Sequence, residues 1–115
     1  MSSCLASYSV AHLPINPAGP CAVLCAGVTF ELESMTTTTS PDCDCEFSWT
    51  VVRTKRDASG EVASVTKFLD EDCFGCPNVK KVTFYCDAAK ACPAYELTLM
   101  CMQGAEPTEG IGVTS

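Results

Sequence analysis

The chain has 115 residues, 47% of them hydrophobic and 18% charged. That is one domain's length, and too apolar and too weakly charged for a disordered segment. The formal charge of −7 has the wrong sign for a nucleic-acid partner, whose phosphates require basic contacts, and for an anionic membrane surface. No run approaches the roughly eighteen apolar residues of a membrane span, so no membrane insertion is expected.

In chain order, residues 1–20 read as a Pro-containing N-terminal segment. It carries no Lys or Arg, and Pro14, Pro17 and Pro20 break any apolar stretch that could act as an export signal. Cys21, Val23 and Cys25 would share one face if a strand extends upstream of Gly27, where a bulge is expected. Val28, Phe30 and Leu32 alternate with Thr29, Glu31 and Glu33, the pattern of a half-buried strand. The threonine run Thr36–Thr39 favours extended backbone, as an edge strand or a rigid loop. The strongest element follows. Cys43, Cys45, Phe47, Trp49 and Val51 fall on one face, and Asp44, Glu46, Ser48 and Thr50 on the other.

Residues 54–60 read as a hairpin connection ending in Ser59-Gly60. Residues 61–69 are rich in Val and Thr but alternate imperfectly, and are assigned to a strand. Residues 71–78 read as a loop. Val82, Phe84 and Cys86 form the next inward face. Residues 87–92 suggest a short helical turn with Asp87 as N-cap, ended by Pro93. Tyr95, Leu97, Leu99 and Cys101 are the last inward set, and residues 104–115 read as a surface tail.

These signals predict a single all-β domain over residues 1–115. It should be a small antiparallel β-sandwich of about six strands, or a small barrel, stapled by disulfides. A Trp on a middle strand among cysteines invites comparison with immunoglobulin-like sandwiches. The Tyr-x-Cys pair expected of those domains is missing, because Tyr85 adjoins Cys86 and Tyr95 lies six residues before Cys101.

Ten cysteines, about 9% of the chain, mark a disulfide scaffold. The candidates are Cys4, Cys21, Cys25, Cys43, Cys45, Cys73, Cys76, Cys86, Cys92 and Cys101. Cys43 and Cys45 point to one side of a strand, so each should bond a different neighbour. Cys86 and Cys101 suit bridges across the core. Cys4, Cys73, Cys76 and Cys92 lie nearer ends and loops. A core of this size could stand without all the bridges, so some in this last group are expected to bond to a neighbouring subunit.

The competing chemistry is thinner. A zinc site would draw on Cys73 and Cys76 with Cys43 and Cys45, but Cys86 and Cys92 are too widely spaced for a second knuckle. A thioredoxin-like role for Cys73 and Cys76 lacks the helix that would activate the first thiol. His12 is the single histidine, with no motif around it. The acid groups Asp70–Asp72 and Asp42, Asp44 and Glu46 lack calcium-loop spacing, and Arg53, Lys55 and Arg56 read as a solvated hairpin. No catalytic residue and no cofactor are expected.

The functional expectation is a non-enzymatic structural or interaction protein. Its partners would be other subunits of an extracellular assembly, with a virion that it decorates or cements as the leading case. Two alternatives stand beside it. One is a secreted or surface recognition module. The other is a cytoplasmic protein whose thiolates bind zinc.

Overall fold

The computed structural model describes residues 4–103; the tail expected at residues 104–115 lies outside them. Six strands are formed: β1 (Cys4–His12), β2 (Val28–Ser40), β3 (Cys43–Arg56), β4 (Val62–Phe74), β5 (Asn78–Tyr85) and β6 (Pro93–Gln103). A four-residue helical turn, α1 (Cys21–Leu24), lies between β1 and β2. The strands make two antiparallel three-stranded sheets, β1-β6-β5 and β2-β3-β4. The fold is therefore all-β, as the alternation predicts.

The two central strands, β3 and β6, carry the core because each has neighbours on both sides and one fully covered face. Phe47, Val51, Leu97, Leu99, Cys45 and Cys101 are completely buried, with Trp49 and Tyr95 nearly so. These are the inward faces that the period of two marks out. Phe30 and Leu32 from β2, Tyr8 and Val10 from β1, and Phe84 and Val82 from β5 complete the layer. Aromatic contacts link the sheets: Phe30 stacks on Tyr95 at 5.4 Å and Phe68 meets Phe84 at 5.4 Å. The strands of the β2-β3-β4 sheet are 13–14 residues long. At about 3.3 Å per residue they run most of the 55 Å long axis of a molecule only 24 and 23 Å across.

Several local expectations change. The N-terminal segment contains β1, paired in regular register along the whole of its length with β6 from Cys4↔Gln103 to His12↔Tyr95. All three of its prolines come after His12, so they do not interrupt the strand. Cys21 and Cys25 are not on a strand. Pro20 presets φ −65° at the helix start, and one turn of helix sets these two cysteines, four residues apart, on one face. The predicted loop at residues 71–78 shortens to residues 75–77, because β4 continues to Phe74. Phe74 pairs with Cys45 and stacks on Phe47 at 5.3 Å, which secures that last turn of the pleat.

Residues 87–92 are a turn rather than a helix. Asp87 accepts hydrogen bonds from the backbone N–H groups of Ala91 (3.1 Å) and Cys92 (3.0 Å), and Lys90 takes the left-handed conformation at φ 61°. The threonine run lies in β2, an edge strand, opposite Ser48, Phe47 and Glu46 of β3. Gly27 has φ 75° and its carbonyl accepts the Arg56 N–H at 2.8 Å, fixing the entry to β2.

Candidate interaction surfaces

All ten cysteines are bonded within the chain. The bridges are Cys4–Cys76, Cys21–Cys92, Cys25–Cys86, Cys43–Cys73 and Cys45–Cys101. Their places follow from the local structure. Cys45 and Cys101 face each other from the two central strands, both fully buried, with Cα atoms 5.9 Å apart. Cys4–Cys76 ties the start of β1 to the β4–β5 connection beside them, so that the sulfurs of Cys4, Cys76 and Cys101 lie within 4.8 Å of one another. Cys43–Cys73 clasps β3 to β4. At the other end, the single face of α1 delivers Cys21 and Cys25 to Cys92 and Cys86, which flank the β5–β6 turn. The sandwich is thus bolted at both ends, with the aromatic core between.

Cys43 and Cys45 bond different neighbours, and Cys101 crosses the core, as the strand faces imply. Cys86 instead ties the end of β5 to α1. The four cysteines weighed for zinc are divided among three bridges, and in this oxidised form none carries the thiolate that zinc requires. Cys73 and Cys76 do not bond each other. The end-and-loop group, Cys4, Cys73, Cys76 and Cys92, is fully used inside the chain, so a bond to a neighbour would require one of these bridges to exchange.

The charged groups are spent one by one. Asp70, Glu71 and Asp72 are successive strand residues, so Asp70 and Asp72 face the opposite side from Glu71. Asp72 pairs with Lys80 of β5. Asp44 accepts the Cys76 N–H at 3.3 Å, and Glu46 accepts the Thr38 hydroxyl at 3.3 Å. Asp42 sits in the β2–β3 turn. Arg53 is half-buried: its Nη1 donates to the Tyr85 carbonyl at 2.8 Å and its guanidinium lies over the Phe68 ring. Arg56 donates to the Gly60 carbonyl within the hairpin, and Lys55 is exposed there. His12 closes β1, edge-on to Tyr95 at 5.0 Å. Burial raises the Tyr95 hydroxyl above its ordinary pKa, helped by the Glu31 charge and opposed by a backbone hydrogen bond from Leu32.

A cleft opens between the sheets where Arg53, Phe68 and Phe84 meet Lys90, with a volume of about 330 Å³. The larger exposed features lie on the sheets' outer faces. Leu5, Val79 and Met102 are exposed around Met100 at the end of the β1-β6-β5 sheet where the described chain begins and ends. On the other sheet Val62, Val65 and Leu69 of β4 are exposed. Sequence reading gave no role to these β4 residues. Their signal is the imperfect alternation of residues 61–69, because β4 turns apolar residues outward at Val65 and Leu69 as well as inward at Phe68. No family model, curated protein or solved structure matches the chain.

Proposed function

We propose that the chain is a non-catalytic structural and interaction domain of an oxidising, extracellular setting, and that it works by presenting rigid sheet faces to other protein subunits. A virion surface that it decorates is the assembly the composition favours. The observation that carries the reading is the closure of all ten cysteines into five bridges that fasten both ends of the sandwich. Such a framework persists where thiols are not kept reduced, and it resists unfolding in a harsh medium. The apolar groups on both outer faces, Leu5, Val79 and Met102 on one and Val62, Val65 and Leu69 on the other, give a partner subunit something to bury.

The test has two parts. Intact mass under denaturing conditions, with alkylation before and after reduction, is expected to show ten protected thiols. Antibody detection across fractions of the source culture is expected to place the chain with extracellular particles. Thiols that alkylate at once, in chain recovered from cell lysate, would sink the reading. The cleft between Arg53 and Phe84 favours a second reading, a recognition module for a small ligand. Chemical-shift perturbation of Phe68 and Phe84 by a ligand library is its check.

A further inference from the structure

Among the described residues the sandwich has four open strand edges, β1, β2, β4 and β5. An unpaired edge presents a row of backbone donors and acceptors, so folds blunt it with bulges, charges or short length. β2 is interrupted by register shifts at Leu32/Ser34 and Thr38/Ser40. β5 has only eight residues and carries Lys80 and Lys81. β1 is regular, but no charged pair on it would fix a register. β4 is different. It is 13 residues long, and its one register shift, at the end facing Arg56, leaves residues 64–74 in unbroken register with β3.

On the outward face of β4, Lys67, Leu69 and Glu71 follow one another at the strand period. Leu69 is 70% exposed, far more than a large apolar side chain in a sheet needs to be. The order cation, leucine, anion is self-complementary. Turn a second copy antiparallel with Leu69 on the two-fold axis, and each Lys67 faces the Glu71 of the other copy while the two leucines meet. Cross-strand partners of opposite charge and of apolar character are the pairs that stabilise a sheet. Centring the axis on Lys67 or on Asp70 would set like charges against each other. Glu71 makes no ion pair among the described residues, and the Lys67 contact with Glu33 at 3.4 Å is exposed and easily exchanged.

We propose that β4 is a self-association edge: two copies of this chain pair their β4 strands antiparallel about Leu69, joining the β2-β3-β4 sheets into one six-stranded sheet. The contact is isologous, residue 67 of each copy meeting residue 71 of the other. It leaves both β1-β6-β5 faces free for further subunits. This deepens the interaction reading given above, since it names one partner as the chain itself.

The test is sedimentation equilibrium of the protein with its five bridges confirmed by mass, from about 10 μM to 1 mM, with the K67E, E71K and L69K variants and the K67E/E71K double variant. All three positions are exposed, so each variant keeps the fold, which circular dichroism verifies. The wild type is expected to dimerise, and each single variant to raise the Kd at least tenfold: K67E and E71K each create two like-charge pairs across the axis, and L69K sets two lysines against each other on it. The double variant restores opposite charges across the axis and should return the Kd to within about threefold of wild type. A wild type that stays monomeric throughout, or a dimer indifferent to all four variants, overturns the β4 pairing. Either result would leave intact the bridge count and fractionation on which the broader reading stands or falls.

Discussion

The five bridges do not contribute in proportion to the chain they enclose. Cys21–Cys92 joins residues 71 apart in sequence and Cys45–Cys101 residues 56 apart. Treated independently, loop-closure entropy assigns them about 4.4 and about 4.2 kcal/mol. The bridges are interlocked, however. With Cys25–Cys86 in place, Cys21 is already tethered to Cys92 through about 10 residues, and the remaining gain falls to about 2.7 kcal/mol. For Cys45 the shortest covalent route to Cys101 runs through Cys43–Cys73 and is about 30 residues long, worth about 3.6 kcal/mol. Cys45 and Cys101 are both fully buried whereas Cys21 is partly exposed, so alanine at the first pair also leaves the larger void, at about 1 kcal/mol for each lost group. The expected order is therefore inverted: C45A/C101A destabilises by about 1–2 kcal/mol more than C21A/C92A. Guanidinium unfolding of both variants without reductant, each checked by mass for four intact bridges, measures the difference. For a chain of this length it also appears as a Tm gap of about 4–8 °C. A larger loss for C21A/C92A would mean that the bridges act as separate loops, and the argument from interlocking would be wrong.

Two further outcomes follow from the backbone and the turns. Gly27→Ala should cost clearly more than Gly60→Ala, although both glycines have positive φ (75° and 91°). At Gly60 the added carbon meets open space and only the left-handed conformation is penalised, by about 1–2 kcal/mol. At Gly27 it would sit 2.4 Å from the Arg56 carbonyl oxygen, which is held in the sheet, so that variant should lose about 3 kcal/mol or more in chemical denaturation. Asp57 and Asp87 make the acid limb of stability predictable. The Ser59 hydroxyl and the Glu61 N–H lower the Asp57 pKa; at Asp87 burial pushes upward but the Ala91 and Cys92 N–H bonds outweigh it, and the net shift is again down. A carboxyl whose folded pKa is depressed stabilises fully above its unfolded pKa near 3.9, and that stabilisation is lost as pH falls through the folded value. Melting temperature should thus be insensitive to these groups down to about pH 5 and decline below about pH 4. In a D57N/D87N variant the decline should be shallower; an identical acid limb would refute the assignment.

How much was legible in the sequence depended on whether side chains alternated. β3 and β6 bury one face and cover it on both flanks, so Cys43 to Val51 and Tyr95 to Cys101 announce both strand and core. β1 was hidden because its inward residues, Ala6, Tyr8 and Val10, are small or only partly buried at a sheet edge, and because the nearby prolines dominate the composition. The acids of residues 70–72 suggested a loop, whereas an edge strand tolerates them by pointing one outward and pairing another with Lys80. The cysteine faces showed which residues could not bond each other. The actual partners depend on which sheet each strand joins and on the turn at α1, and neither leaves a local signal. The β4 edge was visible only as a flaw in a pattern: Val65 and Leu69 spoil the alternation because they face outward.

The expectation of surplus bridges rested on a compact core, and the shape removes that premise. A chain of this size folded compactly has a radius of gyration of about 13 Å, but this molecule measures 16.7 Å and is more than twice as long as it is wide. Long, thin sandwiches have little interior. Of the fourteen buried hydrophobic residues among those described, five are half-cystines, Cys43, Cys45, Cys86, Cys92 and Cys101. The bridges are therefore part of the core as well as clamps on it, and removing one withdraws packing and tether together. An extended body with a shallow interior gains stability from covalent closure at its two ends, and it gains again if its long sheet is continued by a second copy. On that argument the elongation, the full use of the cysteines and the open β4 edge have one physical origin: too little core for the surface the strands create.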